Sequence, residues 1–173
     1  MMNEVIELLL RRRSIRSFLN KPVDMNLIKD LIRVANHAPS SMNREPWKFI
    51  VITDPSIKER LSKLHDGARH LAKAPVAIAV VAEPDVSPET WMVDVVNAIM
   101  YFVIAAYSVG LAVAWVAAFE NETAKEILGI PKEKKLVTLL SVGYPDPSYE
   151  VKPKAVKAPE EVTFLNRYGN PLG

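Results

Sequence analysis

The chain has 173 residues, is 49% hydrophobic and 24% charged, and carries a net charge of +2 with a sequence pI near 8.8. That composition is too apolar for disorder and lacks the large basic excess of a nucleic-acid binder, so it predicts one soluble globular domain over residues 1–173. Cysteine is absent, which removes disulfides, thiol nucleophiles, iron–sulfur clusters and zinc thiolates together.

In chain order, MMNEVIELLLRRR places its charges after the apolar residues and has acids at Glu4 and Glu7. It reads as a helix over 4–11 rather than a secretory signal, and the expected location is cytoplasmic. RRRSIRSF follows as loop or extended chain. Asp24 is a good N-cap for a helix from Met25 to about Asn36. A polar loop, HAPSSMNREP, leads into an alternating strand, WKFIVIT. Pro55 opens a helix to about Leu64, and PVAIAVVAE is a buried strand.

From Val95 to Phe119 there are 25 residues without a charge, enough for a bilayer span of about 20. The flanking residues are Asp94 and Glu120 rather than lysine or arginine, Gly110 interrupts the run, and LAVAWVAAF is strand-like. The pattern predicts a buried helix over about 89–109 and a strand over 112–119, with part of the helix's cover coming from a second subunit. A short helix over 121–128 stops at Gly129, and KLVTLLSVGYP is another buried strand. Residues 146–173 form an extended arm containing Pro147, Pro153 and Pro159; its VTFLNRY segment reads as a strand suited to pairing with a neighbouring subunit.

Two segments carry candidate chemistry. In an extended RRRSIRSF, alternate side chains share a side, so Arg12, Ser14 and Arg16 converge as two guanidinium forks and a hydroxyl on a phosphate monoester. The competing explanation, cations decorating a helix C-terminus, accounts for Arg11 to Arg13 but not for Arg16 or the serine. In APSSMNREPW, Pro39, Ser40, Ser41 and Asn43 enter a strand at Trp47; their hydroxyls and amide suit the polar edge of a heterocycle, or simply a turn. The six glycines form no G-x-G, so neither a Rossmann fingerprint nor a Walker loop is present. His37, His65 and His70 lack ligand spacing, so no metal site is expected, and no triad or paired carboxylates can be picked out as catalytic. If the protein is an enzyme, its hard chemistry would then fall to a cofactor.

RRSIRSF at 12–18, APSSMNREPW at 38–47, AAYSVGLAVAW at 105–115 and ILGIPKEKKLVTLLSVGYP at 127–145 occur in the order found in the nitroreductase family of flavoproteins, which the chain resembles over nearly its whole length. The resemblance implies an α+β fold with a mostly antiparallel sheet wrapped by helices. It further implies a homodimer with FMN at the interface and a C-terminal arm adding a strand to the partner's sheet. Arg12, Arg13, Ser14 and Arg16 would then hold the FMN phosphate and ribityl chain, with Lys157 joining them from the arm. Pro39, Ser40, Ser41 and Asn43 would come from the other subunit, and Trp115, Val116 and Ala117 would lie along the flavin ring. His70 lies near a family position at the flavin's pyrimidine edge. Met100-Tyr101, Ala112 and Ala155 depart from the family pattern. The implied activity is ping-pong transfer of hydride from NAD(P)H through the flavin to nitroaromatics or quinones. The alternatives are a dehalogenase-like or dehydrogenase flavin enzyme of the same fold, or a non-redox dimer that binds phosphate or nucleic acid.

Overall fold

The computed structural model describes residues 3–172. Its centre is a four-stranded antiparallel sheet in the order β1-β2-β4-β3: β1 (Trp47–Ile52), β2 (Val76–Ala82), β3 (Ala112–Val116) and β4 (Lys135–Gly143). All seven residues of β2 are buried, because both faces of the sheet are covered. Alternation along the strand divides the core. Val76, Ile78, Val80 and Ala82 pack with Ile28, Leu31, Ile99 and Phe102 on one side. Ala77, Ala79 and Val81 pack with Leu61, Leu71 and Ala124 on the other.

The first layer comprises α2 (Met25–Ala35) and α4 (Trp91–Ser108); the second comprises α3 (Pro55–Ser62), α5 (Asn121–Leu128) and a 3₁₀ turn at Asp66–Leu71. The helix ends follow the expected capping chemistry. Asp24 accepts from the Asn26 N–H, Asp54 from those of Ser56 and Ile57, and Glu120 from those of Glu122 and Thr123. Gly129 stops α5 in the left-handed conformation, φ 65°. α1 (Glu4–Arg11) has no buried residue, and its Val5, Ile6, Leu9 and Leu10 are exposed.

α4 is long and apolar enough to cross a bilayer, but Val95, Ala98, Ile99, Phe102, Val103 and Ala106 are buried against the sheet. The chain then turns at Gly110, φ 83°, into β3, which gives the expected order of helix and strand.

Two expected strands are corrected. β3 ends at Val116 rather than Phe119. Its last pairing is Val116 with Leu139, the Thr138 hydroxyl donates to the Val116 carbonyl, and the chain turns away to begin α5. In the arm, VTFLNRY is not a strand. Pro159 starts the short helix α6 (Pro159–Val162), where the Glu161 carboxylate accepts from the Ala158 N–H. Asn166 and Gly169 then adopt positive φ and fold a hook that brings Phe164 opposite Pro171. The turn residues within the segment favour this local closure over an extended run.

Candidate functional site

The arginine segment is anchored at its C-terminal end. Phe18 bridges Pro145, Leu19 N–H donates to the Tyr144 carbonyl, and the Lys21 ammonium lies 4.1 Å from the centre of the Tyr144 ring. The Ser17 hydroxyl donates to Asp146 Oδ2 at 3.1 Å, and Asp146 N–H donates back to the Ser17 carbonyl. Asp146 Oδ1 accepts from the N–H and hydroxyl of Ser148; these bonds, followed by that of Ser17, hold the Asp146 carboxyl below its ordinary range. One acid thus fixes the exit of the arginine segment and the start of the arm together.

Between them lies a cleft of about 500 Å³ lined by Arg13, Ser14, Arg16, Tyr149, Glu150, Val151 and Lys152. Arg12 does not line it, and Arg13 is partly committed: its Nη1 donates to the carbonyls of Leu10 (2.8 Å) and Arg12 (2.9 Å), closing the end of α1. The helix-terminus explanation therefore applies to Arg13, while Arg16 remains exposed. Lys157 is exposed further along the arm and does not line this cleft, whereas Lys152 does.

Arg16 also lines a second cleft, of about 330 Å³, with Asp66, Gly67, Arg69, His70 and Lys73. His70 is only 7% exposed. Its Nδ1 lies 2.8 Å from the Ser141 hydroxyl, and its buried Nε2 has no partner among the described residues. Ser141 pairs across the sheet with Ala77 and Ala114, whose small side chains leave room for the ring. The Ser141 hydroxyl is much closer to Nδ1 than to the Ala114 carbonyl, at 3.5 Å. Assigning its proton to Nδ1 leaves the ring proton on Nε2, ready for an acceptor. Burial, then the nearby Arg16 charge, push His70 down to about 4, so the ring is neutral at pH 7.

The loop with Pro39, Ser40, Ser41 and Asn43 lies elsewhere in the chain, by the N-terminus of α4. Met42, Asn43 and Glu45 have φ of 52°, 54° and 50°. Asparagine tolerates that region, but methionine and glutamate rarely occupy it, at a cost of about 1 kcal/mol or more each. Asp94, buried in the first turn of α4, accepts from the Ser41 N–H at 3.0 Å through Oδ1 and from Ser87 and Thr90 at 2.9 Å through Oδ2. Asn97 donates to the Pro39 carbonyl at 3.1 Å, and the Ser40 hydroxyl accepts from the Glu45 N–H at 3.0 Å. Ser41 lines a separate cleft with Arg44, Pro88, Glu89 and Thr90, and the loop lines neither of the two clefts that Arg16 borders.

Trp115 is half-buried against the first core layer, the Val116 side chain is buried in the second, and Ala117 is exposed just past β3. Sequence reasoning missed Lys152, Ser141 and Asp94. For Ser141 and Asp94 a signal existed: each is a polar residue in an apolar run, and burial there requires a partner. Lys152 gives no such signal in an arm rich in lysine.

In this α+β fold, cations and a hydroxyl line one cleft, the buried His70 ring lines another, and Arg16 borders both. The comparisons agree. The model of the Nitroreductase family matches residues 9–68 and 65–144. A protein of Archaeoglobus fulgidus named "Putative NADH dehydrogenase/NAD(P)H nitroreductase" is 30% identical over 151 residues, 83% of this chain and 87% of that one. A crystal structure of a protein with the same designation from Parabacteroides distasonis superposes with a TM-score of 0.88 at 30% identity, covering 96% of this chain and all of the other. An FMN-dependent nitroreductase from Clostridium difficile gives 0.84 at 26%, covering 94% and 99%. The chain belongs to the nitroreductase family.

Proposed function

We propose that the protein is an FMN-dependent NAD(P)H oxidoreductase that passes electrons to small electron-poor acceptors such as nitroaromatics or quinones. The observation that carries this reading is the position of Arg16, which lines both the cationic cleft and the His70 cleft. The residues present fit the cofactor. Ser14, Arg16 and Lys152, with Arg13 beside them, supply charge-assisted donors to a phosphate, and the partnerless Nε2 of His70 supplies a neutral donor to a ring edge. Bound FMN would supply the redox chemistry, accepting a hydride from NAD(P)H and reducing the acceptor. The chain supplies binding, orientation and positive potential from Arg16, and the chemistry requires no side-chain acid or base. A single face visited by nicotinamide and acceptor in turn gives ping-pong kinetics.

The working unit in this reading is a homodimer. Val5, Ile6, Leu9 and Leu10 of α1 and Met92, Val93, Val96 and Tyr101 of α4 expose apolar surface on one chain, and the arm adds Val156, Val162, Phe164 and Leu165. A second copy would cover these faces. It would also bring its Pro39, Ser40, Ser41 and Asn43 to the flavin held by the arginine segment, with Trp115, Val116 and Ala117 along the ring and Lys157 near the phosphate.

The test is an absorbance spectrum of the purified protein with its mass in solution. The expected result is a yellow dimer whose flavin bands bleach anaerobically on adding NADH or NADPH. A colourless protein that ignores added FMN overturns the reading.

A further inference from the structure

The strained loop is gripped from one turn of α4. Asp94 and Asn97, three residues apart and so on the same side of the helix, take the Ser41 N–H and the Pro39 carbonyl respectively. Directly after those ties lie the positive-φ residues Met42, Asn43 and Glu45. Met42 is 81% exposed, so packing of its side chain does not hold it there. Asp94 is itself held: Ser87, fully buried, and Thr90 both donate to its other oxygen. A backbone in this region persists only where its surroundings impose it, and these bonds are the surroundings.

We infer that Asp94 and Asn97 are positioning residues that hold the 39–45 loop in the left-handed form in which it meets the flavin of the neighbouring subunit. The inference rests on the reading that this loop contacts FMN across the dimer. Without the Asp94 carboxylate, the Ser41 N–H loses its acceptor and the loop relaxes toward ordinary φ, so each binding event must first order it again. Asp94→Asn keeps an oxygen for Ser41 and presents an amide that the two hydroxyls can accept from.

The experiment titrates flavin-stripped protein with FMN, following fluorescence quenching, and in parallel times tryptic cleavage after Arg44 in the absence of flavin. Asp94→Ala is expected to weaken FMN binding about tenfold, in line with an unsatisfied buried donor, and to speed cleavage after Arg44. Asp94→Asn should restore both. Asn97→Ala, at a half-buried position of α4, should shift both in the same direction by a smaller factor. Lys58→Met, which destabilises the chain remote from the loop, should change neither. The inference is overturned if the Asp94 and Asn97 variants bind FMN and resist trypsin as the parent does, or if Lys58→Met alters both as much as they do. If the parent itself ignores FMN, the proposed function falls, while the rate of cleavage after Arg44 still decides whether α4 holds the loop.

Discussion

His70 and Ser141 meet 2.8 Å apart between the 3₁₀ turn and β4, and the ring's other nitrogen has no partner among the described residues. The contact joins a helix-side element to the central sheet, in an interior where burial and the Arg16 charge push the imidazole down to about 4. The folded state therefore resists a proton that the unfolded chain accepts near pH 6.5. Between those values the unfolded state binds more protons, so stability is full above about 6.5 and is lost as pH falls toward 4. After discounting for water reaching the ring through the cleft, the loss is on the order of 2 kcal/mol. Urea midpoints at pH 4.5 and 7 should differ more for the parent than for His70→Leu; equal differences would refute the assignment.

Arg13 and Arg16, close in sequence, should separate by experiment. Arg13 already donates to two carbonyls at the end of α1, so Arg13→Gln should lower stability by about 0.5–1 kcal/mol and weaken FMN binding only modestly. Arg16→Gln should weaken FMN binding at least about tenfold, because it removes the fork common to both clefts. It should also let the His70 pKa rise, since Arg16 is one of the two causes of its depression. FMN titration reads the first effect and imidazole NMR the second. An unmoved His70 in Arg16→Gln would detach the two clefts.

Much of the fold was legible because its signals are local. The cap at Asp24, the proline that opens α3, the stop at Gly129 and the apolar run of β2 all act within a few residues. The turn from α4 into β3 at Gly110 was legible for the same reason. The site was less so. Alternation in an extended RRRSIRSF puts Arg12, Ser14 and Arg16 together, yet the cleft takes Arg13, Ser14 and Arg16, and Arg13 also reaches back over the helix end. His70 meets Ser141 from 71 residues away and Ser17 meets Asp146 from 129; no periodicity encodes such pairs. The arm's hook was missed because apolar residues in VTFLNRY suggested a strand while Asn166 and Gly169 determined the turn.

Lys58 is a buried cation with a structural task. Its Nζ donates to the carbonyls of Ala74 (2.7 Å) and Pro75 (3.1 Å), where the 3₁₀ turn hands over to β2. Burial lowers its pKa, and Asp54 opposes the shift. Lys58→Met keeps the aliphatic stem but leaves two carbonyls without that donor, at a cost of about 1–3 kcal/mol. Thermal melts check this, and a variant as stable as the parent would mean that water replaces the ammonium.

Gly143 ends β4 opposite Ala112, in a region where its backbone needs no left-handed freedom. What excludes a side chain there is space: a Cβ would lie 2.6 Å from Pro75 Cδ and 3.0 Å from Phe18 Cδ1. Pro75 is fixed by ring closure and by the Lys58 bond to its carbonyl, so Phe18 must yield. Phe18 is the residue that bridges Pro145 and stands two positions after Arg16. Gly143→Ala should therefore cost about 1–3 kcal/mol through overpacking, and it should also weaken FMN binding by moving the end of the arginine segment. Lys58→Met, which acts on the other side of Pro75, should lower stability without that second effect. The two variants compared at equal loss of stability, by melting and by FMN titration, separate a displaced Arg16 from general loosening. Equal FMN affinity in both would show that Phe18 does not transmit the clash to the site.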